Sequence, residues 1–499
     1  GLDTSPPKWI PLDLAVVLAL ALIVRVLFWP SSLVGMDAIG FAVGGLGTWA
    51  AHPPGYFGIC FTAWLINHLL HNIKDSIVLM NVAASLVAII AIYRLAQWLG
   101  LSRVWTVLCT ASYAFSIVVL YNSIVPLSYA TEAMFGALVG WLSFVAMHTK
   151  ARWWAILATA VWAASGFYRQ TSCFVLAPLI AFMVLKVVPW RLWLVHALIA
   201  LAICGAWVAS NSYYMNASTG IRSTASFAGS VWSTQIMMQS SYDPATLAPI
   251  SVVEEGTGNG FHWPGVELLA WADDRLGTHI LPDWRQHSPD PPSPSHALRF
   301  ALVQFVKVGY FLLLSLPALV LIIPVIGSRI LRSGKACGFC DHGIPRVPLW
   351  VFLGIWTSPA LLLYIFGQMG PPGYLLVILP AWVVGVAVVC SASALNARQH
   401  SLLARAHGGL TAIGAAFFCF ASPFQLQDTP TQQMADLAAL QYTGKAITRG
   451  YFISRSILGK PTEQRTPDWK EFNTDREIVA WWRATNPESK ALHPPVATR

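Results

Sequence analysis

The sequence has little charge for its length. Only 11% of its 499 residues are Asp, Glu, Lys or Arg, whereas 56% are hydrophobic. Soluble domains carry roughly 25% charged residues, and a chain with less than half that share needs lipid to cover much of its surface. The composition therefore excludes a soluble globular domain and predicts a polytopic membrane protein.

The sequence also lacks a complete metal motif. Its eight cysteines are scattered, and the one Cys-x-x-Cys pair, Cys337 and Cys340 followed by His342, supplies only three of the four ligands of a structural zinc site. No second pair lies nearby, so the sequence indicates no resident cofactor, and the involvement of a divalent metal stays open. Internal repeats of the kind found in inverted-repeat transporters are not recognisable either.

Apolar runs long enough to cross a bilayer recur along the chain. A spanning helix needs about 20 mostly apolar residues, and runs of this kind lie near 11–30, 76–99, 104–125, 130–148, 153–168, 171–189, 192–210, 298–327, 348–367, 373–392 and 408–423. The shorter stretch 56–70 follows two prolines and is predicted to be a helix on the membrane surface. The predicted fold is an all-α bundle of about eleven transmembrane helices, with small extracytoplasmic segments.

The positions of the basic residues predict the orientation of the bundle. Lys and Arg resist translocation in short loops, and a cytoplasmic N-terminus places most of the loop cations inside: Lys8, Arg94, Arg103, Lys150, Arg152, Lys186, Arg191, Arg329, Arg332, Lys335, Arg346, Arg398 and Arg405. The short outward turns then hold only Lys74 and Arg169. The net charge of +9 thus indicates topology and the lipid bilayer as partner, and no nucleic acid.

Four regions follow from this map. Residues 1–210 form a transmembrane module with a long first outward loop at 31–75, and residues 211–297 form an extracytoplasmic loop. Residues 298–423 contain the C-terminal helices. Residues 424–499 are polar and are predicted to be a small soluble extracytoplasmic tail domain.

The first outward loop contains an isolated acid and a rigid corner. Asp37 lies beside apolar segments, where partial desolvation of a carboxylate makes it a better base. His52-Pro53-Pro54-Gly55-Tyr56 follows fifteen residues later. Paired prolines fix the backbone and can start a helix, so this corner would hold His52 and Tyr56 at a set height above the bilayer.

Together these motifs resemble the GT-C class of glycosyltransferases, which includes protein O-mannosyltransferases and lipid A aminoarabinose transferases. The likeness rests on the early Asp and HPPGY, and on later stretches at Tyr129-Ala-Thr-Glu132, Gly166-Phe-Tyr-Arg169 and Gly373-Tyr374-Leu-Leu-Val-Ile-Leu-Pro380. It covers residues 11–210 well and 298–392 loosely. Many members have an acidic pair followed by Tyr, whereas this chain has Asp37-Ala-Ile-Gly-Phe41.

The resemblance implies transfer of a sugar from a polyprenyl-phosphate carrier at the outer face of the cytoplasmic membrane. The acceptor, whether protein, lipid or glycan, stays open. Asp37 would be the general base, and cations would offset the charge of the leaving phosphate. The residues implied for donor and phosphate binding are His52, Tyr56, Arg169, Lys307, Arg299 and Tyr374, with Glu132 in support.

Each of these residues also has a structural interpretation. Asp37 is suited to cap a helix, and Tyr56 lies where interfacial aromatic residues collect. Lys307 lies about two turns from a helix end and could extend along it to water. Glu132 could form a structural salt bridge with Arg169. At the level of the whole chain, the alternatives are a non-catalytic GT-C-like subunit of a larger membrane complex and a lipid or solute transporter.

Overall fold

The chain is a helix bundle in the computed structural model, which describes residues 11–30, 41, 45, 56–219, 294–323, 325, 348–367, 372–391 and 397–420. Across these ranges the regular structure is helical and contains no strand, as predicted. The helices are α1 (Leu12–Leu27), α2 (Phe57–Leu70), α3 (Ile73–Trp98), α4 (Arg103–Ala114), α5 (Ile117–Ile124), α6 (Tyr129–Thr149), α7 (Arg152–Tyr168), α8 (Gln170–Val187), α9 (Trp193–Thr219), α10 (Pro294–Ser315), α11 (Leu349–Leu362), α12 (Leu379–Ser391) and α13 (Ala397–Phe420).

Five of the described helices are long and apolar enough to cross a bilayer, and α4 with α5 makes a sixth if the bent pair counts as one span. The chain is therefore a multi-pass membrane protein. The total of eleven spans stays a prediction. The helix predicted for the membrane surface, at 56–70, is present as α2, a separate apolar helix too short to span.

Helix α6 lies at the centre of the bundle, and 83% of its 18-residue apolar stretch is buried. It packs against α3, α7 and α8 and against a 3-10 segment at Pro372–Val377. Two glycines of α6 allow close packing: a Cβ on Gly136 would collide with the Val377 carbonyl of the 3-10 segment, and a Cβ on Gly140 would collide with the Trp356 ring of α11. Helices α9 and α13 are peripheral, since only 11% and 17% of their 18-residue apolar stretches are buried.

The run 104–125, predicted as one span, is broken in the structure, because α4 and α5 meet at a 52° bend. At the bend the buried Arg25 guanidinium donates Nη2 to the Ala114 carbonyl at 3.3 Å and to Ser85 Oγ at 2.7 Å. It also donates Nη1 to the Ala21 carbonyl at 2.9 Å. The Ala114 carbonyl at the carboxyl end of α4 has no helical partner because the helix breaks there. The Arg25 guanidinium provides the hydrogen-bond donor for this carbonyl.

Other predicted spans are also interrupted, in these cases by proline. The run 298–327 ends as an α-helix at Ser315, and a 3-10 segment, Pro317–Leu321, follows. The run 373–392 begins as the 3-10 segment Pro372–Val377, and α12 starts only at Leu379. Proline has no N–H for a helix interior but is accepted in a first turn. Helix α9 continues to Thr219, past the predicted boundary at 210, and α13 begins at Ala397, before the predicted start at 408.

Candidate active site

Arg169 lies between two helices at one end of the bundle. It follows the last residue of α7 and precedes the first residue of α8, with an extended backbone at φ −156°. Its side chain is only 6% exposed. A guanidinium enclosed in this way must be held by charges or polar atoms inside the protein, because transfer from water is costly.

Polar groups on neighbouring helices hold the Arg169 guanidinium. Nε donates to Thr171 Oγ1 at 3.0 Å, and Nη1 donates to Ser128 Oγ at 2.8 Å. Nε also lies 3.2 Å from Oε2 of Glu132, a fully buried carboxylate. The hydroxyl of Ser172 donates to Glu132 Oε1 at 3.1 Å. The salt bridge expected between Glu132 and Arg169 is therefore present.

Two tyrosine rings form an aromatic corner around Arg169. The Cζ atom of Arg169 lies 4.7 Å from the ring centre of Tyr129 and 4.8 Å from that of Tyr374. The two rings are themselves 5.7 Å apart, so they flank the cation on adjacent sides. Gly373 makes this possible, because a Cβ there would lie 2.5 Å from the Tyr129 ring. Cation–π contacts of this kind limit the guanidinium to a narrow range of orientations.

Tyr56 joins the same cluster from the first outward loop. It is 4% exposed, and its ring meets Phe41 edge to face at 5.1 Å. The following amide, of Phe57, donates to Asn211 Oδ1 at 2.9 Å and so ties the start of α2 to α9. Tyr56 is close enough to Arg169 to act on it electrostatically. It therefore belongs to the buried cluster and not to an aromatic belt in contact with lipid.

Tyr56 also has a left-handed backbone, with φ 47° and ψ 44°. Few residues other than Gly adopt this conformation, and for a bulky side chain it is strained. Such strain persists only where the surroundings over-determine the position, and it collects at functional sites. Tyr56 has this conformation directly before the first residue of α2.

Lys307 is a second buried cation, with 2% of its side chain exposed. Its helix, α10, packs against two segments that follow α11. One is the π-helical turn Leu363–Gly367, which carries Tyr364, and the other is Pro372–Val377, which carries Tyr374. Other parts of the protein thus enclose the Lys307 side chain, and this side chain does not extend along a lipid-facing surface to water. Arg299 lies about two turns earlier on α10, and its side chain is outside the described residues.

Several predicted residues lie outside the described part of the chain. Asp37 and His52, the predicted base and donor contact, are among them, as are Cys337, Cys340 and His342. Most of the extracytoplasmic loop and the whole tail domain lie outside it too. Within the described ranges, no group of three His, Cys, Asp or Glu side chains could hold a metal ion.

The structure adds residues that the sequence did not single out. Ser128, Tyr129 and Thr171 contact Arg169 directly, and the buried Tyr364 ring lies 5.4 Å from that of Tyr374. The sequence contains a partial signal for these three residues. Ser128 and Tyr129 lie four and three residues before Glu132, and Thr171 follows Arg169 by two residues. For Tyr364, in the apolar run 348–367, the sequence provides no such signal.

This fold is similar to that of solved membrane enzymes. ArnT from Cupriavidus metallidurans bound to undecaprenyl phosphate matches with 13% identity and a TM-score of 0.47, over 95% of this chain and 75% of that one. The oligosaccharyltransferase of Archaeoglobus fulgidus in the apo form matches with 12% identity and a TM-score of 0.46, over 95% and 63%. Both are GT-C glycosyltransferases.

No family model and no curated protein matches the chain. The identities of 12–13% and the TM-scores below 0.5 make the two structural likenesses distant. We therefore infer the chemistry of this chain from its own residues.

Proposed function

We propose that this chain is a glycosyltransferase that moves a sugar from a polyprenyl-phosphate carrier to an acceptor at the outer face of the cytoplasmic membrane. The observation that carries the proposal is the buried Arg169, oriented by the aromatic corner and by polar side chains. The leaving group of this reaction is a lipid phosphate. A fixed cation in a water-poor site stabilises such a developing charge more than it would in water.

One edge of the guanidinium is suited to this role. Its Nε and Nη1 donate to Thr171 and Ser128, which uses two of the five N–H donors that a guanidinium carries. We assign Nη2 to an oxygen of the carrier phosphate. Glu132 compensates the charge of Arg169 before the donor binds, which makes a buried cation tolerable in the empty protein. Lys307, Arg299, Tyr56, Tyr374 and His52 are the further proposed contacts of the donor.

Asp37 is the proposed base. As the acceptor oxygen or nitrogen attacks the anomeric carbon, its proton passes to the Asp37 carboxylate, and the bond from that carbon to the phosphate oxygen breaks. The electron pair leaves with the polyprenyl phosphate, and attack from the opposite face inverts the anomeric centre. Asp37 precedes Phe41, which contacts Tyr56, by four residues.

Replacing Asp37 with Asn tests the proposal. In membranes supplied with a labelled polyprenyl-phosphate sugar, the Asp37→Asn variant should lose about 10²- to 10⁴-fold in sugar transfer and in release of polyprenyl phosphate, the usual contribution of a general base. The matched control is Asp75→Asn. Asp75 is an acid at the same predicted face, and it accepts a hydrogen bond from Trp29 Nε1 at 2.7 Å and pairs with Lys74 at 2.8 Å.

The outcomes separate the alternatives. Full turnover in Asp37→Asn would exclude this residue as the base. A parent protein that folds but releases no polyprenyl phosphate would favour the non-catalytic subunit. Movement of the intact labelled donor between leaflets without release would favour a transporter.

A further inference from the structure

A cavity of about 780 Å³ opens at the junction of three helices. Its walls are the turn before α4 with the first residues of that helix, the last residue of α12, and one face of α13. The α13 residues that line it are His400, Ser401, Ala404 and Arg405. His400 and Ala404 are one turn apart, as are Ser401 and Arg405, so they share one face of the helix.

This cavity lies at the opposite end of the bundle from Arg169. Trp98 lies two residues before Gly100, which lines the cavity. The centre of the Trp98 ring is 5.5 Å from the centre of the His148 ring. His148 is in the last turn of α6, whereas Tyr129, of the aromatic corner, is its first residue. A helix of 21 residues is about 30 Å long, so the two sites are separated by the thickness of a membrane core. The basic loops of the sequence predict that the cavity lies at the cytoplasmic side.

The lining of the cavity is both cationic and apolar. Arg405 and His400 are its basic residues, and no Asp or Glu is among the described residues that line it. The first turn of α4 adds backbone N–H groups at Val104 and Trp105 that have no acceptor within the helix. The side chains of Val104, Trp105 and Leu108 form the remaining wall. Such a lining suits a ligand with an anionic group attached to an apolar body.

The surroundings favour a lipid over a small soluble anion. Val104, which lines the cavity, is 56% exposed, and Leu402, on the same helix as Arg405, is 67% exposed. These apolar side chains face the bilayer in a membrane protein, so the cavity is continuous with a lipid-facing surface. We propose that it binds the phosphate headgroup of an anionic phospholipid from the cytoplasmic leaflet, with the glycerol and upper acyl chain against Trp105 and Leu108.

Lipid retention by the full-length protein tests this site. The protein is extracted from nanodiscs that contain phosphatidylglycerol and phosphatidylcholine, and bound lipid is measured by native mass spectrometry. Phosphatidylglycerol should be retained selectively. The Arg405→Gln variant should bind it about fivefold more weakly, since a basic residue near anionic lipid contributes about 1 kcal/mol. Arg398→Gln is the matched control, because it removes the same charge from the same helix outside the cavity lining.

A second pair of variants tests the cavity without changing its charge. Ala404→Phe fills the space, and it should reduce phosphatidylglycerol retention. Gly409→Phe adds the same side chain where nothing lies within 4 Å of an added Cβ, and it should leave retention unchanged. Equal retention of both lipids, or equal loss in Arg405→Gln and Arg398→Gln, would overturn the proposal. Displacement of the lipid by inorganic phosphate would indicate a soluble-anion site and would overturn it as well.

Discussion

At the scale of single residues, Arg169 illustrates how the site is assembled. Thr171 is two residues away, Ser128 directly precedes α6, and Glu132 lies in the first turn of α6. These polar contacts would hold the guanidinium on one side only. Tyr374, from the far C-terminal part of the chain, completes the corner. Compensation of the Arg169 charge by Glu132 and orientation of the guanidinium by Tyr129 and Tyr374 therefore both depend on tertiary packing.

Substitution of Arg169 should separate charge from orientation. Arg169→Gln should reduce the kcat of sugar transfer by about 10²- to 10³-fold, the usual effect of removing one donor to a developing anion. Arg169→Lys keeps the charge but not the planar set of donors, so we expect an intermediate loss. Steady-state kinetics with the labelled donor measure both.

The double variant Arg169→Gln/Glu132→Gln provides the control for folding. Loss of Arg169 alone leaves Glu132 as an uncompensated buried charge, which costs about 3–5 kcal/mol. The double variant removes both charges and should recover the level of folded protein without recovering kcat. Recovery of kcat as well would mean that the pair is structural only.

At the scale of the elements, short irregular segments give the bundle its site. Beyond the 52° bend between α4 and α5, the fully buried α5 packs against the 3-10 segment Pro372–Val377 as well as against its neighbouring helices. That segment carries Tyr374 and packs against α6. A regular helix at either place would present different side chains to Arg169. The buried Arg25 at the bend is accordingly a structural cation, with donors directed at Ala114, Ala21 and Ser85.

The contact between Pro372–Val377 and α6 can be tested with one methyl group. In Gly373→Ala the added Cβ would lie 2.5 Å from the Tyr129 ring and 2.9 Å from Asn122 Oδ1. Overpacking of this kind costs about 1–3 kcal/mol, and it should displace Tyr129 from Arg169. We expect a lower melting temperature and reduced transfer.

Gly354→Ala is the matched control for this change, since nothing lies within 4 Å of an added Cβ there. It should be neutral or slightly stabilising, because Ala is about 1 kcal/mol better than Gly in a helix. Unchanged melting temperature and activity in Gly373→Ala would mean that the Tyr129 ring does not have a fixed position.

At the scale of the whole molecule, the chain has two chemically different ends. The end with Arg169 carries a buried ion pair and tyrosines, and the end with Arg405 carries exposed cations and an open cavity. The predicted orientation places the first end outside and the second in the cytoplasm. Only with this orientation does the proposed site face a donor in the outer leaflet.

Fusions to alkaline phosphatase, which is active only outside the cytoplasm, test the orientation. A fusion after Thr149, at the end of α6, should be inactive, and a fusion after Phe420, at the end of α13, should be active. A fluorescent-protein fusion at each position should show the reverse pattern and thereby control for expression. Activity after Thr149 would invert the topology, and it would place the Arg169 site on the cytoplasmic side.

The sequence by itself determined the membrane environment, the helical class and the main helices. These follow from composition and from apolar runs, which are local properties. It also identified Arg169 and Glu132, because both lie in the motifs that resemble the GT-C class. Only the tertiary structure decided the break at Arg25, the aromatic corner and the enclosure of Lys307. The reason is physical. Bends, cation–π contacts and burial depend on which distant segments pack together, and an apolar run has the same composition whether it forms one straight helix or two helices with a bend.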